Sequence, residues 1–173
     1  MRAREFIIEY RNRMFQYIKK LLPTWPDYVL KDLIYANFAR GDVQNWRWSF
    51  DMITDEIHDI LKYIGLSADT KWEYVPNMKF TMDMWEPITL DWLKERAGGA
   101  RPKDINNIPD RDAEKHEIQA KLVKQRGISK EPVILVKTSK GYILREGWHR
   151  TIQHFAKFPD GYVGPAYVAI AKI

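Results

Sequence analysis

The sequence contains no cysteine among its 173 residues. Disulfide bonds, thiolate nucleophiles and zinc–thiolate sites are therefore excluded, and the cytoplasmic location that we expect is compatible with this absence. No apolar run approaches the roughly 18 residues that a membrane-spanning helix requires, so we expect no insertion into a membrane. Charged residues interrupt the apolar pattern of the opening stretch "MRAREFIIEYRNRMF", which is not typical of a signal peptide.

The first part of the chain lacks an excess of positive charge, and the net positive charge of the protein lies in the last part. Residues 1–100 hold 14 Lys and Arg against 15 Asp and Glu, whereas residues 101–173 hold 14 against 8, a net charge of +6. A basic domain attracts the phosphate groups of nucleotides or nucleic acids. An ordinary solvated surface is the alternative interpretation, and the sequence alone leaves both open.

Apolar residues in the first part recur at three- and four-residue steps, the period of amphipathic helices. Thr24 and Asp42 are the expected N-caps of the second and third helices, and Gly41 and Gly65 their expected C-caps. A Met-rich, aromatic stretch around Pro76 follows, and its pattern fits either short strands or an ordered loop. The predicted helices lie within residues 4–22, 24–41, 42–65 and 88–99.

After residue 100 the pattern changes to alternating helices and strands. The stretch "AGGARPKDINNIPD" predicts a linker, because Gly, Pro and Asn punctuate it. We expect an α+β fold in which a helical portion, residues 1–100, packs on a small mixed-sheet domain, residues 101–173. The predicted elements of that domain are helix 111–126, strand 131–138, strand 141–146, helix 148–158 and strand 164–173.

The stretch "GYILREGWHRTIQHF" places Gly147 between a predicted strand and a predicted helix. A glycine there lets the backbone turn sharply and approach a ligand, and the first N–H groups of a helix attract anions. Arg150 adds a planar fork suited to phosphate, His149 a donor that titrates near neutral pH, and Thr151 a hydroxyl. This pattern predicts a phosphate-binding turn.

A purely structural interpretation of the same turn is equally compatible with the residues alone. Gly147 would then be an ordinary turn glycine, Trp148 a core ring and Arg150 a surface ion-pair partner. His58, His116 and His154 are expected to lie on polar helix faces without a functional role.

The order of elements from residue 104 onward resembles the ParB/sulfiredoxin superfamily. The stretch "INNIPDRDAEKHEIQAKL" is similar to the opening box of that family, and "GISKEPVILVKTSKGYIL" to its glycine, strand, turn and strand. The stretch "EGWHRTIQHF" stands where ParB-like proteins have Gly-Glu-Arg-Arg, sulfiredoxins Gly-Cys-His-Arg and related serine kinases Gly-His-Thr-Arg. The resemblance covers about 40% of the chain. We recognise no family in residues 1–100. Their opening stretch, "MRAREFI", is faintly similar to the starts of some bacteriophage proteins.

This resemblance implies a nucleotide site, because the turn holds ATP in sulfiredoxins and serine kinases and CTP in ParB proteins. The matching residues are Gly147, Trp148, His149 and Arg150, followed by Thr151. From the opening box, the resemblance implies that Arg111 faces the same pocket. Trp148 stands where sulfiredoxins carry their catalytic cysteine, so reduction of sulfinic acids is excluded.

Three carboxylates are candidates for chemistry beside the phosphates. Phosphoryl transfer needs a carboxylate that acts as a base or holds a metal ion. Glu146 directly precedes the turn, and Asp110 and Asp112 flank the matching arginine of the opening box. We expect Glu146, Asp110 and His149 as catalytic candidates, and Glu146 with Asp112 as ligands of Mg²⁺ bound together with ATP or CTP.

Three functions remain open from the sequence. The first is a nucleotide-binding phosphotransferase or NTPase, and the second is a DNA-binding nuclease of the ParB type, favoured by the basic last part. The third is a non-catalytic interaction protein with a vestigial pocket, favoured by the bulky Trp148. The N-terminal helices could in addition mediate formation of an oligomer.

Overall fold

The computed structural model of the protein describes residues 3–39, 48–96 and 110–170. These residues group into two compact units, the first within Met1–Trp72 and Ile170–Ile173 and the second formed by Glu73–Ala169. The sequence-based division falls near residue 100 instead, so residues 73–96 belong to the second unit and not to the helical portion. The predicted linker over residues 97–110 lies almost wholly outside the described residues.

The first unit is helical, as the periodicity predicts. Its helices are α1, Ala3–Leu21; α2, Asp27–Val29, continued by a π-helix, Leu30–Tyr35, and by α3, Ala36–Ala39; and α4, Phe50–Ile64. Helices α1 and α4 pack against one another, and α1 also packs on the π-helix. Within the described residues, no helix has the length and apolarity needed to cross a membrane.

The helix ends of this unit differ in part from the predicted caps. The Thr24 hydroxyl donates to the carbonyl oxygens of Ala68 and Thr70, at 3.1 and 3.2 Å, so its assignment as an N-cap is wrong. Ser49 caps α4 by accepting a hydrogen bond from the Met52 N–H at 3.2 Å. Gly65 ends α4 in the left-handed conformation, as predicted. The expected caps Gly41 and Asp42 lie outside the described residues.

The second unit combines a four-stranded sheet with helices, which confirms the predicted α+β fold class. The strand order is β1-β4-β2-β3, and β2 pairs antiparallel with β3. Each element predicted in the last part of the chain is present, with bounds that shift by a few residues. The elements are β1, Trp72–Phe80; α5, Pro87–Arg96; α6, Asp110–Arg126; β2, Val133–Thr138; β3, Gly141–Glu146; α7, Trp148–Lys157; and β4, Tyr162–Ile170.

The strands follow from their sequences. Four consecutive residues of β2, Val133 to Val136, are buried, and successive side chains of a strand point to opposite faces, so both faces of this strand are covered. The stretch around Pro76 forms one nine-residue strand at the edge of the sheet. Proline is tolerated at an edge because the strand needs no donor on its outer side.

Helix α5 is fixed to strand β3, and helix α6 packs against α7. The Glu86 N–H donates to the Tyr142 carbonyl oxygen at 3.0 Å, and Trp85 forms a parallel bridge with Tyr142. Lys157 of α7 donates to the Val123 carbonyl oxygen of α6 at 2.9 Å. The apolar core of this unit consists of Phe80, Trp85, Leu93, Val133, Leu135, Leu144, Ile152, Phe155, Tyr162, Ala166 and Val168.

Candidate phosphate-binding site

Gly147 forms a sharp turn between strand β3 and helix α7. Its backbone has φ 94° and ψ 21°, a left-handed conformation that residues with a Cβ rarely adopt. A Cβ built there would lie 2.7 Å from Cγ1 of Val133, so space as well as conformation requires glycine. The N-cap of α7 is Gly147, which has no side chain with which to cap the helix. The Thr151 N–H donates to the Gly147 carbonyl oxygen at 2.9 Å, which begins the helix ladder.

The guanidinium of Arg150 lies against this turn. Its Nη2 is 3.2 Å from the position that a Cβ of Gly147 would occupy. Nη2 donates to the Pro132 carbonyl oxygen at 3.1 Å, and Nη1 forms an ion pair with the Glu131 carboxylate. The Arg150 side chain is 9% exposed, whereas that of Glu131 is 69% exposed. The turn therefore already binds one carboxylate of its own chain, and Arg150 is not the surface residue of the structural interpretation.

Trp148 and His149 occupy the first two positions of α7, and both are partly buried. The Trp148 ring packs on the apolar core of the unit and meets the ring of Trp92 in helix α5, with 6.1 Å between ring centroids and 61° between planes. Glu146, the residue before the turn, ends β3 opposite Ile134 of β2 and is also partly buried. The sequence-predicted residues 146–150 are thus brought together at one end of α7.

Thr151 faces the interior of the unit and not the surface. Its side chain is fully buried, and its hydroxyl lies beside the hydroxyl of Tyr162 in β4. Burial raises the pKa of Tyr162 well above its usual range, against the opposing effects of the Thr151 hydroxyl and the Arg150 charge. A direct contact of the Thr151 hydroxyl with a phosphate outside the helix would require this buried side chain to turn outward.

His154 belongs to the same buried polar cluster, and its assignment to a polar helix face is wrong. It is 3% exposed, its Nε2 accepts a hydrogen bond from the Ser129 N–H at 3.1 Å, and its ring lies 4.7 Å from that of Tyr162. Burial, with a smaller effect of the Arg150 charge, lowers its pKa to about 4. The imidazole is therefore neutral near pH 7. His154 lies three residues after Thr151 and four residues after Arg150, so the three side chains share one face of α7. This spacing is the sequence signal that groups His154 with the other two.

The candidates from the opening box lie at the start of helix α6. Asp110, Arg111 and Asp112 form its first turn, and their side chains lie outside the described part of the structure, as does that of His116. Among the side chains that are described, no group of three or more His, Asp or Glu residues lies close enough together to hold a metal ion. Glu146 is the one described carboxylate of the predicted Mg²⁺ pair.

Comparisons of the chain with protein-family models, with curated proteins and with solved structures find no match. The resemblance of residues 104–173 to the ParB/sulfiredoxin superfamily therefore stays a prediction from the sequence motifs. The function has to be argued from the geometry of the turn.

Proposed function

We propose that the turn from Glu146 to Arg150 binds the phosphate groups of a nucleotide. The observation that carries this proposal is the Arg150 guanidinium, buried against a left-handed glycine and already paired with a carboxylate. A group that holds one oxyanion in a partly dehydrated place can hold another of matching shape. Phosphate oxygens match the planar fork of arginine as carboxylate oxygens do.

Glu131 acts as a tethered competitor in this proposal. Its side chain is mostly exposed, so it can leave the guanidinium at little cost in desolvation. A phosphate brings more negative charge than a carboxylate and also reaches the first-turn amides of α7, where the partial positive charge of the helix lies. Arg150 then exchanges Glu131 for the ligand while its bond to the Pro132 carbonyl oxygen persists.

The neighbouring residues have separate roles in the proposal. Gly147 is buried, and Val133 and Arg150 crowd the place where its Cβ would lie, so the glycine allows the sharp turn and the close approach of the Arg150 guanidinium. His149 supplies a donor beside the turn. Glu146 would hold a Mg²⁺ ion together with the phosphates, since this ion is commonly bound through one or two carboxylates plus phosphate oxygens. Bound there, Mg²⁺ would neutralise phosphate charge. Catalysis by Glu146, His149 or Asp110 stays a prediction.

The choice of a nucleotide rests on the resemblance to the ParB/sulfiredoxin superfamily, with ATP or CTP as the expected ligand. DNA is the second candidate, favoured by the net charge of +6 that 14 basic against 8 acidic residues give the segment 101–173. In that case Arg150 would hold a backbone phosphate, and affinity would fall steeply with salt. Formation of an oligomer through the N-terminal helices stays a prediction, which light scattering would check.

The test is a calorimetric titration of the protein with ATP, CTP, GTP and a short DNA duplex, each with and without Mg²⁺. Thermal unfolding with the same ligands gives an independent readout, because a ligand that binds the folded state raises Tm. Arg150→Ala is the loss variant. Arg126→Ala, at the exposed end of α6, is its control for removal of one positive charge.

We expect one or more nucleotides to bind the wild type and Arg126→Ala and not to bind Arg150→Ala. If only DNA binds, the ligand of the turn is a DNA backbone phosphate and not a nucleotide. Retention of nucleotide affinity in Arg150→Ala, or no binding of any ligand to the wild type, would overturn the proposal and leave the structural interpretation of the turn.

A further inference from the structure

We propose that residues 129–132 form a pH-sensitive strap on helix α7, held in place by the neutral imidazole of His154 and released when that imidazole binds a proton. The strap lies between helix α6 and strand β2 and belongs to no helix or strand. It is part of the second unit, and it operates whether or not a nucleotide binds to the turn at Gly147.

Two side chains of α7 hold the strap. The Ser129 N–H donates to Nε2 of His154 at 3.1 Å. Arg150, one turn earlier in the helix, donates to the Pro132 carbonyl oxygen at 3.1 Å and forms an ion pair with the Glu131 carboxylate. Both ends of the strap are therefore bound to the same face of α7.

The strap can leave α7 while the rest of the unit stays folded. Ile128, just before it, packs on the apolar core, and Val133, just after it, is buried at the start of β2. Inside the strap, the Glu131 N–H donates to the Ser129 hydroxyl oxygen at 3.1 Å, a bond that needs no partner on α7. Short irregular segments of this kind open locally at a lower cost than global unfolding.

The hydrogen bond from Ser129 requires a neutral imidazole. An N–H donor faces Nε2 of His154, so this nitrogen carries the lone pair and the proton of the neutral ring lies on Nδ1. A second proton would set N–H against N–H at Nε2. Nδ1 is buried and has no hydrogen-bond partner among the described residues. The charged ring is therefore satisfied only when the strap moves away and water reaches Nε2.

The groups around His154 oppose its protonation while the strap is closed. Its own helix contributes the positive charge of Arg150. Strand β4 contributes Tyr162, whose ring lies 4.7 Å away and whose buried hydroxyl keeps its proton. The strap contributes the Ser129 N–H and the Glu131 carboxylate, which Arg150 binds. Helix α6 packs against α7, and in its described part no charged side chain acts on the imidazole.

A falling pH should therefore open the strap. In the closed state, burial and the Arg150 charge lower the pKa of His154 to about 4, whereas an imidazole in contact with water has the ordinary value of 6.5. The equilibrium constant for opening should then rise by about 20-fold between pH 7 and pH 5. Opening moves the Glu131 carboxylate that Arg150 binds, so the state of the strap affects the candidate phosphate site.

The experiment measures amide hydrogen exchange by NMR at pH 7 and pH 5, with each rate corrected for intrinsic exchange at that pH. The Ser129 N–H reports the strap, and the N–H of Val136, 1% exposed in the central strand β2, reports global unfolding. His154→Gln keeps an acceptor but does not titrate. Glu131→Gln removes the titrating carboxylate of the strap and keeps the histidine. Circular dichroism melting checks that both variants are folded, and the comparison of the two amides in the wild type needs neither.

We expect the Ser129 N–H to be less protected than the Val136 N–H at both pH values. Its protection should fall by about 20-fold from pH 7 to pH 5 in the wild type and in Glu131→Gln, and by less than about threefold in His154→Gln. Equal protection of the two amides would overturn the strap, because residues 129–132 would then open only with the whole unit. A wild-type fall of less than about threefold, a full fall in His154→Gln, or loss of the fall in Glu131→Gln would overturn the histidine as its trigger.

Discussion

Arg150 and Glu131 form an ion pair of two unlike partners, one with its side chain 9% exposed and the other 69% exposed. The buried guanidinium also binds the Pro132 carbonyl oxygen, so it joins helix α7 to the segment before β2. The exposed carboxylate is held from one side only. The Arg150 side chain is therefore a fixed part of the fold, whereas the Glu131 carboxylate can be replaced by another anion.

Arg150→Lys tests whether the buried guanidinium stabilises the fold. Lysine keeps the charge but cannot bind Glu131 and the Pro132 carbonyl oxygen through a planar fork. We expect the free energy of unfolding to fall by about 1–3 kcal/mol and nucleotide affinity to fall with it. Urea unfolding measures the first and calorimetry the second. Arg126→Lys, on the exposed end of α6, should change neither; wild-type stability in Arg150→Lys would contradict the structural role.

Gly147→Ala tests the turn itself. The left-handed backbone and the 2.7 Å approach of Val133 Cγ1 both oppose a Cβ. Gly127 is a matched control, because it has φ 75° and nothing within 4 Å of its Cβ position. We expect Gly127→Ala to cost about 1 kcal/mol from conformation alone and Gly147→Ala about 3 kcal/mol, since overpacking is added. Equal losses in thermal unfolding would show that the contact with Val133 yields easily.

The elements around the site could be predicted from the sequence because each has a strong local signal. Val133 to Val136 form an uninterrupted β-branched and aliphatic run, and Gly147 separates a strand pattern from a helix pattern. Those signals are set by neighbours in the chain, and the structure has both strands, the turn and α7 where they were expected. Helix boundaries were less accurate at Thr24, where hydrogen bonds to Ala68 and Thr70 replace a cap.

The partners of the site residues could not be predicted, because they come from distant parts of the chain. Nothing local connects Arg150 with Glu131, which lies 19 residues earlier, or Trp148 with Trp92 on another helix. The burial of His154 depends on Ser129 and Tyr162, which reach it from a loop and from β4. The spacing of His154 from Arg150 and Thr151 puts the three residues on one face of α7, but it does not tell which face of the helix is covered.

His154 should make stability depend on pH. Its pKa is lowered to about 4 by burial and by Arg150, against the ordinary value of 6.5 in the unfolded chain. The unfolded state therefore binds the proton first as pH falls, and stability is lost from about pH 6.5 down to about pH 4. The loss attributable to His154 should reach about 2 kcal/mol at pH 5.

The measurement is urea unfolding at pH 7 and pH 5 for the wild type and His154→Gln. The amide oxygen of glutamine can take the place of Nε2 as acceptor for the Ser129 N–H but does not titrate, so the difference between the two proteins isolates the histidine from the carboxylates. We expect the wild type to lose about 2 kcal/mol more than the variant between these pH values. Parallel losses would contradict a buried neutral imidazole.

The hydroxyls of Thr151 and Tyr162 are buried without an ordinary hydrogen bond. Both side chains are buried and adjacent, and neither hydroxyl has a hydrogen-bond partner in the described part of the structure. Replacement of such a hydroxyl by an apolar group of the same shape costs little, so we expect Thr151→Val and Tyr162→Phe each to change the free energy of unfolding by less than about 1 kcal/mol. A loss above about 2 kcal/mol in urea unfolding of either variant would show that its hydroxyl does form a hydrogen bond.

The most direct test of the phosphate site is the nucleotide affinity of Glu131→Gln. Removal of the tethered negative charge should free Arg150 for the ligand, so we expect calorimetric titration with Mg²⁺-ATP and Mg²⁺-CTP to give binding about threefold or more tighter than in the wild type. Glu73→Gln, an exposed carboxylate of β1, makes the same change in net charge away from Arg150 and corrects for long-range attraction. Affinity of Glu131→Gln equal to that of Glu73→Gln, or weaker, would contradict the account.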